Sequence, residues 1–424
     1  MVNKNIFLYI LIAISIISCS KHLGFDYKQN VINIKGEPLN INQLVGKPNE
    51  IICIDTLLVY IDVYDEKTLS VFDLKNNSFI GRFVSQGQGP EEVFPSRFFF
   101  LQYPQKDKLD IYQSSAAILT TIDVPDFRIS NKIKIVSATT QQRPPSEMQR
   151  AKNYYIGTGM FEGGRFSIYN SDLEYLYTDA SYPFNGNDME PSETFFTYQG
   201  KFCTNPDKNY FAMGCWFSDH IAFYEVTGNN IITLRKYSSS DVNVDVRSTN
   251  GRTGMRPKSE SKISYTASFG TASYCYMLFT GKTYAENNEK TTGGHYIIVF
   301  DWQGNYIKTY NTDYEIHSFC VDENSNCIYA TALDENLDYI IIKLNINDSN
   351  LSNPQSAKTT VRQNNTQPTE TISRQYNFPA KVQILILDGK VIPSDSMLDY
   401  EKVKEMRTER SEDGDTVFAY ITTK

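Results

Sequence analysis

FCVDENSNCIYA, residues 319–330, decides the fold. It reads as the end of one strand, a tight polar turn and the start of the next. FCTNPDKNYFA, residues 202–212, repeats the pattern, with Phe-Cys before the turn and an aromatic-Ala pair after it. Around the first copy, His317 to Val321 and Cys327 to Ala332 are strands, and after a second polar turn Tyr339 to Leu344 is another. Just upstream, HYIIVFDWQGNYIKTY (295–310) reads as strand, turn, strand, with Gln303-Gly304-Asn305 in the turn. Strands at intervals of about 8–12 residues, joined by short polar turns, belong to sandwiches, barrels and propellers.

Recurrence at longer range separates these architectures. LSVFDLKNNSFIGRFV (69–84) and LDIYQSSAAILTTIDV (109–124) show the same outline, and 154–180 and 220–237 show it less cleanly. Six units result, starting near Ile51, Ser96, Gln149, Thr197, Ser268 and His317. Each has roughly the 30–70 residues of a four-stranded blade with or without loop insertions. One such sheet cannot bury both faces. Six packed radially can, and ring closure shelters the strand edges. The expected fold is therefore all-β, a six-bladed β-propeller over 51–346. Residues 31–44, VINIKGEPLNINQL, within an N-terminal segment 19–50, are expected to supply the outer strand of the last blade. A seventh blade within 238–262 is the competing reading; that stretch is polar and charged and reads as an insertion.

The composition agrees. Of 424 residues, 41% are hydrophobic and 21% charged, as in a folded chain, and 29 Tyr and 25 Phe favour strands. A formal charge of −8 argues against nucleic acid as a partner, since phosphates need a cationic face.

Lys4 precedes the 12-residue apolar run IFLYILIAISII (6–17), followed by Ser18 and Cys19. A charged start, an apolar stretch of this length and a small residue form an export signal, residues 1–18, too short for a comfortable membrane span. IISC (16–19) resembles the lipobox of bacterial lipoproteins, which implies acylation of Cys19 and a lipid anchor in the cell envelope, at the outer membrane. Six further cysteines, at 53, 203, 215, 275, 320 and 327, show no zinc spacing. An even count in an exported chain permits disulfides, and Cys320 and Cys327 flank a turn across which they can face; the simpler reading is six small buried hydrophobes.

SQGQGPEEV (85–93) has the two close glycines of a phosphate cradle. A cradle opens a helix, whereas EEVFPSRFFFL heads into a strand, and paired carboxylates repel phosphate. The loop reads as a blade-to-blade crossing, with Gly87, Gly89, Pro90 and Glu91 kept as a candidate binding loop near the propeller mouth. With the lipobox, the six units and Gly87-Gln88-Gly89-Pro90-Glu91-Glu92, the chain resembles the TolB-like six-bladed propeller lipoproteins of Bacteroidetes over about residues 25–350. That family more often has a third glycine where Glu91 stands.

Residues 347–371 are a polar linker rich in Asn, Ser, Thr, Gln and Pro. Beyond it, 372–424 read as a small α+β module: KVQILILDGKVI (381–392), a helix over Ser396 to Met406, and a closing strand TVFAYITTK (416–424). Asp388, Gly389 and Lys390, the helix and the terminal ITTK resemble the plug domain of TonB-dependent receptors. The resemblance implies docking to a partner.

No catalytic residue, metal or cofactor is expected. There is no nucleophile elbow and no HExxH, and Gly281-Lys282-Thr283 lacks the leading glycine of a P-loop. His220, His295 and His317 fall in different blades, where structural hydrogen bonding is the expectation. Asp55, Asp301 and Asp322 read as solvated turn carboxylates. The function expected is a membrane-anchored binding or scaffold module for an envelope protein or glycan. The alternative is a carbohydrate-active lyase or hydrolase working in the propeller channel.

Overall fold

A computed structural model of the chain describes residues 25–41, 45–62, 67–87, 89, 92–93, 99–101, 107–114, 116–129, 135–140, 144–184, 189–249, 252–346, 382–387, 390–392, 403–410 and 417–423. It divides after Ser349 into two units.

In the first unit, β1 (Val31–Ile34) and β2 (Gly36–Pro38) precede four four-stranded antiparallel sheets. Blade 1 is β3 (Pro48–Ile54), β4 (Leu57–Asp62), β5 (Lys67–Asp73) and β6 (Ser78–Ser85). Blade 2 is β7 (Phe99–Leu101), β8 (Lys108–Gln113), β9 (Ile118–Asp123) and β10 (Ile135–Thr140), with a short helix α1 (Asp126–Ile129) before the last strand. Blade 3 is β11 (Glu147–Arg150), β12 (Tyr155–Thr158), β13 (Phe166–Tyr169) and β14 (Tyr175–Asp179). Helix α2 (Pro191–Tyr198) leads into blade 4: β15 (Gly200–Thr204), β16 (Tyr210–Cys215), β17 (Ile221–Val226) and β18 (Ile231–Tyr237). Among the described residues, the 238–262 stretch forms a hairpin, β19 (Val244–Thr249) and β20 (Arg252–Pro257), packed on α2, before β21 begins at Lys262.

Blades 5 and 6 share a strand. β21 (Lys262–Gly270), β22 (Tyr274–Thr283) and β23 (Gly294–Asp301) pair in order with the first part of β24 (Tyr306–Asp322), whose second part pairs with β25 (Cys327–Leu333) and then β26 (Tyr339–Asn345). The sequence reads as two strands here, ending at Tyr310 and restarting at His317. Residues 311–316 carry neither Gly nor Pro. They are held extended because β1 runs parallel to 309–312 and the Gly36 N–H donates to Asp313 (2.8 Å). β2 lies antiparallel along β26, Pro38 opposite Ile342.

The first strands of the sheets pack on one another in ring order: β3 beside β7 and β24, β15 between β11 and β21, β21 beside β24. The two-residue period of a strand supplies the mortar, because alternate side chains reach opposite neighbours. Ile51 faces blade 6, with Cys320 and Ile341, while Ile52 joins Leu109 and Ile122 of blade 2. Phe202 meets Phe166 of blade 3, while Cys203 meets Cys275 and Phe300 of blade 5. Tyr112 and Leu119 meet Met148 and Tyr169 between blades 2 and 3. Strands buried on both faces become unbroken apolar runs; in β4 every residue is buried.

The second unit is described as one sheet in the order β28 (Lys390–Ile392), β27 (Val382–Leu387), β30 (Val417–Thr423), β29 (Val403–Arg410), with β27 and β30 parallel. This corrects the end of the expected helix: Val403 to Met406 belong to β29, where Met406 pairs with Ile421. Backbone pairing with β30 satisfies the strand's peptide groups and overrides a helical spacing that rested on three residues. Residues 396–402 lie outside the described residues.

Candidate functional site: a charged trio on the innermost strands

Three ionisable side chains from three blades come together where the innermost strands converge: Glu50 on β3, Glu147 on β11 and Lys201 on β15. Each stands immediately before a fully buried residue of its strand, Ile51, Met148 and Phe202. Glu147 is buried, while Glu50 and Lys201 keep partial exposure although protein surrounds them deeply.

Their charges are coupled. Burial pushes the Glu50 carboxyl up to about 7; Lys201 pulls it down and Glu147 adds to the rise. Burial likewise raises Glu147, against the pull of Lys201. For Lys201, burial disfavours the charge, but the two glutamates outweigh it and hold the ammonium above its ordinary range. Near pH 7 the trio therefore offers a fixed ammonium and, in Glu50, a carboxyl that exchanges its proton. That combination donates to and accepts from a polar, uncharged ligand such as a polyhydroxylated sugar.

The Gly-rich loop is closed on itself. Gln86 bridges to Val93, the Gly87 N–H donates to the Val93 carbonyl (2.8 Å), and the Gly89 N–H to Glu92 Oε2 (2.9 Å). Both described glycine amides are thus engaged within the loop. A Cβ added at Gly87 would fall on the Glu92 carboxylate. Gly87→Ala is expected to displace Glu92, remove its bond to Gly89 and lower stability by about 1 kcal/mol, read from the urea midpoint. Pro90 and Glu91 lie outside the described residues, as do Cys19, Asp388 and Gly389. Lys390 opens β28, opposite Leu387.

Among the described residues, His220, His295 and His317 do not gather into one site. His220, beside Phe184, is pushed down to about 3 by burial, with Arg165 and Lys236 adding to the effect. His295 Nδ1 lies 3.2 Å from the Thr312 carbonyl. His317 packs against Tyr339, and burial lowers its pKa against the pull of Glu315. Among the described residues, no three His, Cys, Asp or Glu side chains gather to hold a metal ion. Asp301 and Asp322 accept backbone amides of their own turns, from Gln303 and Asn305 and from Asn324. Cys320 and Cys327 are not opposite one another: Cys320 pairs with Tyr329 and Cys327 with Asp322. Sequence reasoning missed the trio. The signal available was an ionisable residue directly preceding the apolar run of an inner strand.

Comparison with known proteins bears on the propeller. The family described as TolB-like 6-blade propeller-like matches residues 27–324. No curated protein sequence matches the chain. Among solved structures, a candidate exported protein of Bacteroides fragilis is similar at 12% identity and a TM-score of 0.46, covering 75% of this chain and 100% of that one. A duf4221 family member from Bacteroides vulgatus is similar at 10% identity and 0.46, covering 73% and 95%. The β-propeller domain of Cps50 (Swd1) from Myceliophteria thermophila follows at 11% and 0.41, covering 73% and 99%.

Proposed function

Because this chain belongs to the TolB-like 6-blade propeller-like family, we propose that it is an exported propeller that binds a cell-envelope partner, a protein or a glycan, without transforming it. The export signal and IISC support anchoring through lipid on Cys19 at the outer membrane of a Bacteroidetes cell. The plug-like second unit supplies a further docking element. The observation that carries the reading is the trio of Glu50, Glu147 and Lys201. It draws polar groups from three blades to one water-contacting place.

The test is crosslinking in intact cells, comparing the full chain, Lys201→Met and a chain ending at Thr371. Capture of the same partner by the full chain and the truncated form, with at least a tenfold loss in Lys201→Met, is the expected result. Capture unchanged by Lys201→Met removes the trio from recognition, and capture lost only on truncation moves recognition to the second unit.

A second reading, a carbohydrate-active enzyme in the channel, is favoured by one observation: a glutamate titrating near 7 is poised as a general acid or base. It requires new saccharide ends to appear when envelope glycan is incubated with the protein, and their loss in Glu50→Gln.

A further inference from the structure

Cys203 and Cys275 meet across the seam between blades 4 and 5. Their Sγ atoms are 3.5 Å apart, and both side chains are buried in a cluster with Tyr265, Met277 and Trp302. Of the others, Cys53, Cys215 and Cys327 direct sulfur to backbone oxygens of Asp55, Tyr198 and Ser325. Cys203 belongs to β15 and Cys275 to β22, so a bond between them would join two blades rather than two strands of one sheet. We propose that Cys203 and Cys275 form a disulfide in the mature protein, an inter-blade staple closed as the chain folds.

Thiol–disulfide exchange accomplishes the step. The thiolate of one cysteine attacks a small or protein-borne disulfide and expels one of its sulfurs as thiolate. The second cysteine, deprotonated, attacks the resulting mixed disulfide, forming the Cys203–Cys275 bond and expelling the other sulfur. The pair loses two electrons and two protons, and the oxidising disulfide becomes two thiols. Closing from contact distance to a bond of about 2.05 Å asks for an approach of roughly 1.5 Å, within reach of side-chain rotation and small backbone adjustment.

Burial fixes the timing. In the folded protein burial holds the Cys275 thiol well above its ordinary range, so little thiolate is present and no oxidant reaches it. The bond must form before the seam closes, and the same burial then shields it from reductants. In the cell the proposal rests on the export reading above, because cytosolic thiols are kept reduced.

The full chain is made by cell-free synthesis in an oxidised/reduced glutathione buffer, blocked with N-ethylmaleimide in denaturant, and digested without reductant. A Cys203–Cys275 crosslinked peptide in most molecules is the expected result, with the other five cysteines mainly alkylated. In Cys203→Ser the crosslink should vanish and Cys275 become alkylated. The pairing inference fails if all seven cysteines are alkylated, or if Cys275 is bonded elsewhere. The same mapping is done on protein taken from its own envelope with thiols blocked at lysis. The crosslink there supports both inferences; free thiols there, with the bond formed in glutathione, overturn export while leaving the pairing intact.

Discussion

Glu50→Gln is expected to make the propeller more stable than the parent at pH 8, by up to about 3 kcal/mol, and to leave the two alike at pH 4. The Glu50 carboxyl is raised from 4.5 to about 7 in the folded chain, chiefly by burial. Folding therefore favours its protonated form. That contribution is complete below pH 4.5, where both states carry the proton, and is lost as pH rises through 7 and the folded state gives it up. The two and a half units between those values correspond to about 3 kcal/mol, an upper figure because partial water contact screens the charge. Glutamine carries no proton to lose, so the variant's urea midpoint should fall less between pH 5 and 8. Glu147, raised in the same sense, contributes a slope common to both proteins. Parallel pH profiles would show that Glu50 titrates as an ordinary surface carboxylate, and the coupled trio would lose its basis.

Phe166→Ala should cost about 3–5 kcal/mol, the range for deleting a buried aromatic ring. Phe166 has no exposed surface and reaches from blade 3 into blade 4. Its ring lies 4.8 Å from Phe211 and 5.3 Å from Tyr224, both edge-on, and 6.5 Å from Phe202. The adjacent Arg165 guanidinium, fully buried, sits 5.4 Å from the same ring. Close-packed neighbours on three strands of blade 4 cannot all collapse into the vacated volume. The predicted loss appears in the urea midpoint with little change in slope. A loss below 1 kcal/mol would mean that the seam repacks freely and does not hold the two blades in register.

The propeller was legible because blades repeat. Phe202-Cys203 and Phe319-Cys320, matched as sequence, occupy the innermost strands of blades 4 and 6, and both aromatic-Ala pairs fall on the strands that follow. Even the one-residue difference in turn length has a structural reading: Cys203 opposes Ala212, whereas Phe319 opposes Ala330. What repetition cannot convey is contact between different repeats. Glu50, Glu147 and Lys201 are scattered along the chain, and each alone resembles a solvated residue at a strand end. Only closure of the ring puts them within electrostatic reach. The Cys203–Cys275 contact was hidden for the same reason, since two cysteines 72 residues apart become neighbours only through packing of adjacent blades. The misread helix over 403–406 failed differently: a short segment with few apolar residues takes its conformation from the partner strand offered to it.

The partnership of β2 with β26 sets a schedule for biogenesis. Pro38 waits for Ile342, about 300 residues later in the chain, and β1 waits for Thr309 through Thr312. At a synthesis rate of about 5–20 residues per second, that interval is roughly 15–60 s. During it the nascent N-terminal segment has no partner, and the ring stays open at its first blade and at the newest one. A topology whose final contacts are also its most distant ones folds slowly once complete. The cell must therefore escort an unfinished ring, rich in bare apolar strands, until β26 arrives.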